Sequence, residues 1–70
     1  MPITINEFNK AVDANVLKKG NTNLINNNKF DSLCKLNLML FLDQKFNFSI
    51  SFEKLEKLKD LDELNNLIDD

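Results

Sequence analysis

Two side chains that lie close together could act as nucleophiles, Ser32 and Cys34, with Asp31 beside them. Either would need a base to activate it, most often histidine. The chain has no histidine, and nothing in the sequence arranges a lysine or carboxylate substitute around a pocket. Self-contained catalysis is therefore not expected, and no residue is assigned a catalytic role. Cys34 is the only cysteine, which rules out an internal disulfide and a single-chain zinc site; a lone cysteine of this kind is usually inert packing. The run Asp60–Glu63 superficially resembles a calcium loop, but it lacks the glycine and the later glutamate, and Leu64 falls on a ligand position. No metal ligand is expected.

The elements that must position Ser32 can be read from caps and periodicity. Thr4 and Glu7 form a T-x-x-E capping box. Ile5, Phe8, Val12 and Val16 then recur at helical spacing, and Lys18, Lys19 and Gly20 suit a helix end, so a helix is expected from Thr4 to about Lys19. Asn21 to Phe30 is rich in Asn and Thr and reads as a loop, pinned to the core by Leu24, Ile25 and Phe30. The second helix runs from Asp31-Ser32 to about Phe46, with either residue able to cap it. Its centre is apolar all round, which is expected of a helix contacted on several sides or facing a partner. Phe48 and Ile50 alternate with Ser49 and Ser51 in an extended piece. Ser51 caps a short helix over roughly 52–58, and Asp60 with Glu63 opens the last helix, whose stripe is Leu61, Leu64, Leu67 and Ile68. The expected architecture is one all-α domain, residues 1–70: a four-helix bundle with a long loop between helices 1 and 2 and a short third helix.

Composition bounds the rest. Seventy residues bury only about 60% of their unfolded surface, so helix packing has to supply the stability. Nine lysines stand against eleven carboxylates, for a net charge of −2, with no arginine and no basic stripe; nucleic-acid binding has little electrostatic support. The start, MPITINEFNK, has no apolar leader region, and no apolar run is long enough to span a bilayer. The chain reads as a cytoplasmic, non-membrane monomer.

From Phe30 to Ile68 the sequence resembles the acyl and peptidyl carrier protein family. The signal is Phe30-Asp31-Ser32-Leu33 at a loop–helix boundary, where the family shows Asp-Ser-Leu or Asp-Ser-Met, often preceded by Gly-Phe. Asp43-Gln44-Lys45-Phe46 then matches an acidic-x-x-Phe helix end, Ile50 follows four residues later, and Asp60-Leu61-Asp62-Glu63-Leu64 fits the start of the last helix. Residues 1–30 match in pattern only, and Lys29 stands where the family glycine lies. The resemblance implies a four-helix carrier bundle with 4'-phosphopantetheine attached to Ser32 by a separate phosphopantetheinyl transferase using coenzyme A. Asp31 and Leu33 would lie beside the arm, with Asp31 assisting the transfer near the transferase metal. A loading ligase for an acyl or aminoacyl group and a downstream transferase would be further partners.

Residues 31–45 depart from the strongly acidic second helix of housekeeping fatty-acid carriers, since their charges sum to zero. Steering through this face should be weak. Leu33, Leu36 and Leu40 share one edge and, with Lys35 and Ile50, are expected to form the docking surface; the same leucines could equally be core. Family members that sequester acyl chains often have small residues at the positions of Phe30 and Leu55, so a short or polar cargo held outside the bundle is expected. The competing reading is an unmodified carrier-like helical module for protein–protein interaction.

Overall fold

The computed structural model describes residues 3–69; Met1, Pro2 and Asp70, the ends of the expected 1–70 domain, lie outside the described residues. Four helices follow in order: α1 (Ile5–Val12), α2 (Ser32–Phe46), α3 (Phe52–Glu56) and α4 (Leu61–Asp69). The fold is all-α; the only strand-like pairings among the described residues are two isolated bridges, Lys18 with Asn21 and Asn23 with Asp60.

Local chemistry sets three helix starts as expected. Thr4 Oγ1 accepts from the Glu7 N–H at 3.1 Å while a Glu7 carboxylate oxygen accepts from the Thr4 N–H at 3.0 Å, completing the capping box. Asp31 caps α2, and Ser51 caps α3 by accepting from the Lys54 N–H at 3.1 Å. Before α4, Asp60 accepts from the Glu63 N–H at 2.9 Å, but the Glu63 carboxylate takes the Lys59 N–H at 2.8 Å rather than that of Asp60. Half of the expected second box therefore forms, and its other half reaches one residue further back.

The first helix is shorter than its apolar spacing suggests. It stops at Asp13, which adopts a left-handed conformation (φ 57°, ψ 41°) and donates its N–H to the Asn9 and Lys10 carbonyls. The Asn9 side chain fixes the chain beyond it: its Oδ1 accepts from the N–H groups of Val16 (3.1 Å) and Leu17 (2.9 Å), and its Nδ2 donates to the Leu17 carbonyl (2.8 Å). Val16 is buried as expected, but from this connection and not from a helix. Gly20 ends no helix. It sits at φ 90° in a tight turn whose flanking residues, Lys18 and Asn21, exchange backbone hydrogen bonds of 3.2 and 2.9 Å.

The connection to α2 thus runs from residue 13 to residue 31. Asn27 braces it by donating to the Val16 and Asn23 carbonyls at 2.7 and 3.0 Å and accepting from the Lys29 N–H at 3.0 Å. Its middle pairs with the α3–α4 turn: the N–H groups of Leu24 and Ile25 donate to the Lys59 carbonyl, and that of Leu61 donates to the Thr22 carbonyl. Leu24 and Phe30 are buried here, whereas the Ile25 side chain is half exposed and stays out of the core, so only its backbone helps hold the connection. A third asparagine, Asn65 on α4, brackets Ile3 by accepting from its N–H (2.6 Å) and donating to its carbonyl (3.1 Å).

These clips let α1 pack along α2 and α3 against α2. The core they enclose includes Phe8, Val12, Phe30, Cys34, Leu38, Leu42, Leu55, Leu58 and Leu64. The Phe8 and Phe30 rings lie 5.7 Å apart in a tilted pair, so the end of the long connection is seated directly on α1.

Candidate functional site

The start of α2 is built around Asp31. Its backbone is extended (φ −86°, ψ −175°), its side chain accepts from the Cys34 N–H at 3.0 Å, and its carbonyl accepts from the Lys35 N–H at 3.0 Å. Those hydrogen bonds, the Cys34 N–H foremost, hold the Asp31 carboxyl below the ordinary aspartate range. Either Asp31 or Ser32 could have capped this helix, and the structure gives the cap to Asp31 alone. Ser32 is the first helical residue, it is exposed, and its hydroxyl has no hydrogen-bond partner among the described residues.

Cys34 faces the other way. It is buried at 4% exposure, its thiol donates to the Lys29 carbonyl at 3.4 Å, and burial raises its pKa. It belongs to the core, as an inert cysteine would, and offers no thiolate at the surface.

Helix α2 presents apolar residues in two opposite directions. Cys34, Leu38 and Leu42 point into the core at 4%, 0% and 0% exposure. Leu33, Leu36 and Leu40, at 65%, 49% and 61%, form a stripe on roughly the opposite side of the helix, as the turn of about 100° per residue requires. Either face was open to these three leucines in sequence; in the structure they are not core. Ile50 is half-buried and joins Leu40, Met39, Asp43 and Ser49 in lining a shallow groove beside the stripe. Lys35 does not join it. The Lys35 Nζ lies 5.5 Å from the Phe30 ring centroid and 5.7 Å from that of Phe52, on the flank of α2 that meets α3.

The arrangement suits a bulky anionic adduct on Ser32. The hydroxyl projects from a helix N-terminus, whose N–H groups and dipole favour negative charge. Being exposed, it can take on such a group without disturbing the core. The space that a small residue at position 30 or 55 would open is filled, since Phe30 is 4% and Leu55 1% exposed. Sequence reasoning missed the asparagine clips: Asn9 and Asn27 brace the connection that leads into α2, and Asn65 ties Ile3 to α4; Asn9, inside a helix and four residues before an aspartate, gave no local sign of its partners.

Among the described residues, no group of three or more Cys, Asp or Glu could hold a metal ion, and no helix is long and apolar enough to cross a membrane. In comparisons with protein-family models, curated proteins and solved structures, the chain finds no match in any of the three.

Proposed function

We propose that this chain is a stand-alone carrier protein, in a carrier-type bundle, that holds an acyl or aminoacyl group on a 4'-phosphopantetheine arm attached to Ser32. The observation that supports this most is the division of labour at the start of α2. Asp31 does the capping, and Ser32 is left exposed with an uncommitted hydroxyl. The bland explanation of a serine at a helix start is that it caps the helix, and this serine does not.

The chain's own residues set the terms of loading. Transfer of the arm from coenzyme A joins Ser32 Oγ to phosphorus, breaks the pyrophosphate bond with release of adenosine 3',5'-bisphosphate, and frees the hydroxyl proton, for which the chain supplies no good acceptor: there is no histidine, and Asp31 is a weak base because its hydrogen bonds stabilise the ionised form. A separate phosphopantetheinyl transferase therefore has to attach the arm, and Asp31, held in its ionised form near neutral pH by its hydrogen bonds, is the proposed neighbour of that enzyme's metal. Once attached, the arm supplies a terminal thiol that carries cargo as a thioester, while the protein provides delivery and no catalysis of its own. The buried Phe30 and Leu55 favour a short or polar cargo that stays outside the bundle, in a specialised biosynthetic pathway. The Leu33, Leu36 and Leu40 stripe, next to Ser32, is the proposed docking surface for the transferase, the loading ligase and the downstream transferase.

The stripe also favours a second reading, a carrier-like helical module that docks partners and is never modified, since exposed leucines serve docking with or without an arm. One experiment separates the two. The protein is incubated with coenzyme A, magnesium and a broad-specificity phosphopantetheinyl transferase and then weighed intact. The carrier reading requires the mass of one arm in the native chain and none in Ser32→Ala; a native chain that gains nothing points to the module.

A further inference from the structure

We propose that Lys35 is the residue that receives the phosphodiester of an arm on Ser32, and that loading draws its ammonium away from the Phe30 and Phe52 rings. The proposal rests on the carrier reading above and adds a residue to it.

Lys35 stands one turn beyond Ser32, and residues three apart on a helix are surface neighbours. Helical side chains lean toward the N-terminus, so the long lysine stem reaches back over the turn that holds Ser32. The ring contacts fit that direction: Phe30 lies just before the helix, and Phe52 opens α3. The ammonium is therefore lodged at the edge of the helix start, bridging the long connection and α3.

A phosphodiester on Ser32 would place a second negative charge beside Asp31, which is already ionised and bound to the helix N–H groups. A cation in reach is then drawn in. Lys29, the nearest lysine before Ser32 in sequence, lines a groove with Asn15, Leu17, Lys18 and Asn21 on the face of the connection. Lys45, at the far end of α2, lies against Phe41 and within 3.8 Å of a Glu7 oxygen. That leaves Lys35. A wet cation–ring contact is weak, and a charge-assisted contact to phosphate oxygen is stronger, so the exchange favours the phosphate. As the ammonium leaves, the Phe52 ring loses its cover, and the first turn of α3 differs between the empty and the loaded protein.

The test compares the full chain before and after loading by NMR, with intact mass confirming the arm. The proposal expects the methylene next to the Lys35 ammonium to lose its upfield ring-current shift and the Phe52 ring resonances to move. The phosphorus resonance of the loaded chain should change in Lys35→Met and stay in place in Lys29→Met. If the arm is present by mass but the Lys35 and Phe52 resonances stay where they were, and Lys35→Met leaves the phosphorus signal unchanged, the proposal is overturned while the carrier reading stands. If the chain accepts no arm, both fall together.

Discussion

Helices α1 and α4 use their apolar residues to close the core, whereas α2 has more of them than the core can take. On α1, Phe8 and Val12 are buried and the exposed positions are polar; on α4, Leu61 and Leu64 play the same part, with Asp62 and Asn66 outside. Helix α2 buries Cys34, Leu38 and Leu42 and still shows water three leucines on its other side. Folding explains the first set and not the second. Apolar surface stabilises a fold only where folding removes it from water, so the surplus on α2, beside the uncommitted hydroxyl of Ser32, is the part of the molecule that calls for a functional account.

The comparison breaks most visibly if the two faces of α2 respond alike to truncation. Leu38→Ala should cost about 2–5 kcal/mol, a large share of what a domain of this size has, and should unfold much of the protein at moderate temperature. Leu40→Ala should stay within about 0.5 kcal/mol of the parent. Thermal melts followed by circular dichroism measure both; equal losses would mean that the stripe is core after all.

A smaller effect is expected at the clip that ends α1. Asn9→Ala leaves the N–H groups of Val16 and Leu17 and the Leu17 carbonyl without their side-chain partner, at a cost of about 1–3 kcal/mol. Hydrogen exchange at the Val16 and Leu17 amides should accelerate well before that of the α2 amides. Uniform acceleration would argue against a local clip.

The caps give a pH-dependent effect with a definite sign. Hydrogen bonding lowers the pKa of Asp31, chiefly through the Cys34 N–H, and that of Glu7, chiefly through the Thr4 N–H. A carboxylate whose folded pKa is depressed contributes stability in full above its unfolded value, about 4, and loses it as pH falls through the lower native value. Melting temperature should therefore drop from pH 5 toward pH 2. Asp31→Asn keeps a preferred cap residue but removes one of these titrations, so its melting temperature should fall less over the same range; a drop as steep as the parent's would remove Asp31 from the account.

The smallest stability change is expected from replacing Leu33, Leu36 and Leu40 together with glutamine. The melting temperature should hardly move, because no core contact is lost. Loading by the transferase should slow, read as a fall in kcat/KM for the chain as substrate. Unchanged loading would separate the stripe from the carrier chemistry.

How far these features could be read in the sequence follows from the range of the interactions behind them. The starts of α1, α2 and α3 were legible because a cap is a contact between residues three apart. The end of α1 was not. Lys18, Lys19 and Gly20 imitate a helix terminus, while the real stop is Asp13 in a left-handed conformation, secured by an asparagine amide reaching seven and eight residues ahead. Leu24 and Phe30 are buried as their size suggests, but Ile25, equally apolar, lies half exposed; the contact that holds this stretch, the Leu24 and Ile25 N–H groups on the Lys59 carbonyl, is distant in sequence and leaves no local sign. At the site, the Asp31-Ser32 boundary was visible, and its division into cap and free hydroxyl was not, because both residue types cap well. The face that α2 turns inward was hidden for a similar reason: a helix apolar all round takes its orientation from its neighbours.

The state of Ser32 in the cell that makes this protein decides between carrier and docking module. Tandem mass spectrometry of the chain purified from its native source should find a phosphopantetheine arm, with or without thioester-linked cargo, on the peptide containing Asp31-Ser32-Leu33 and on no other. Bare Ser32 throughout, in protein taken from cells that use it, would contradict the carrier assignment and leave a helical docking module in its place.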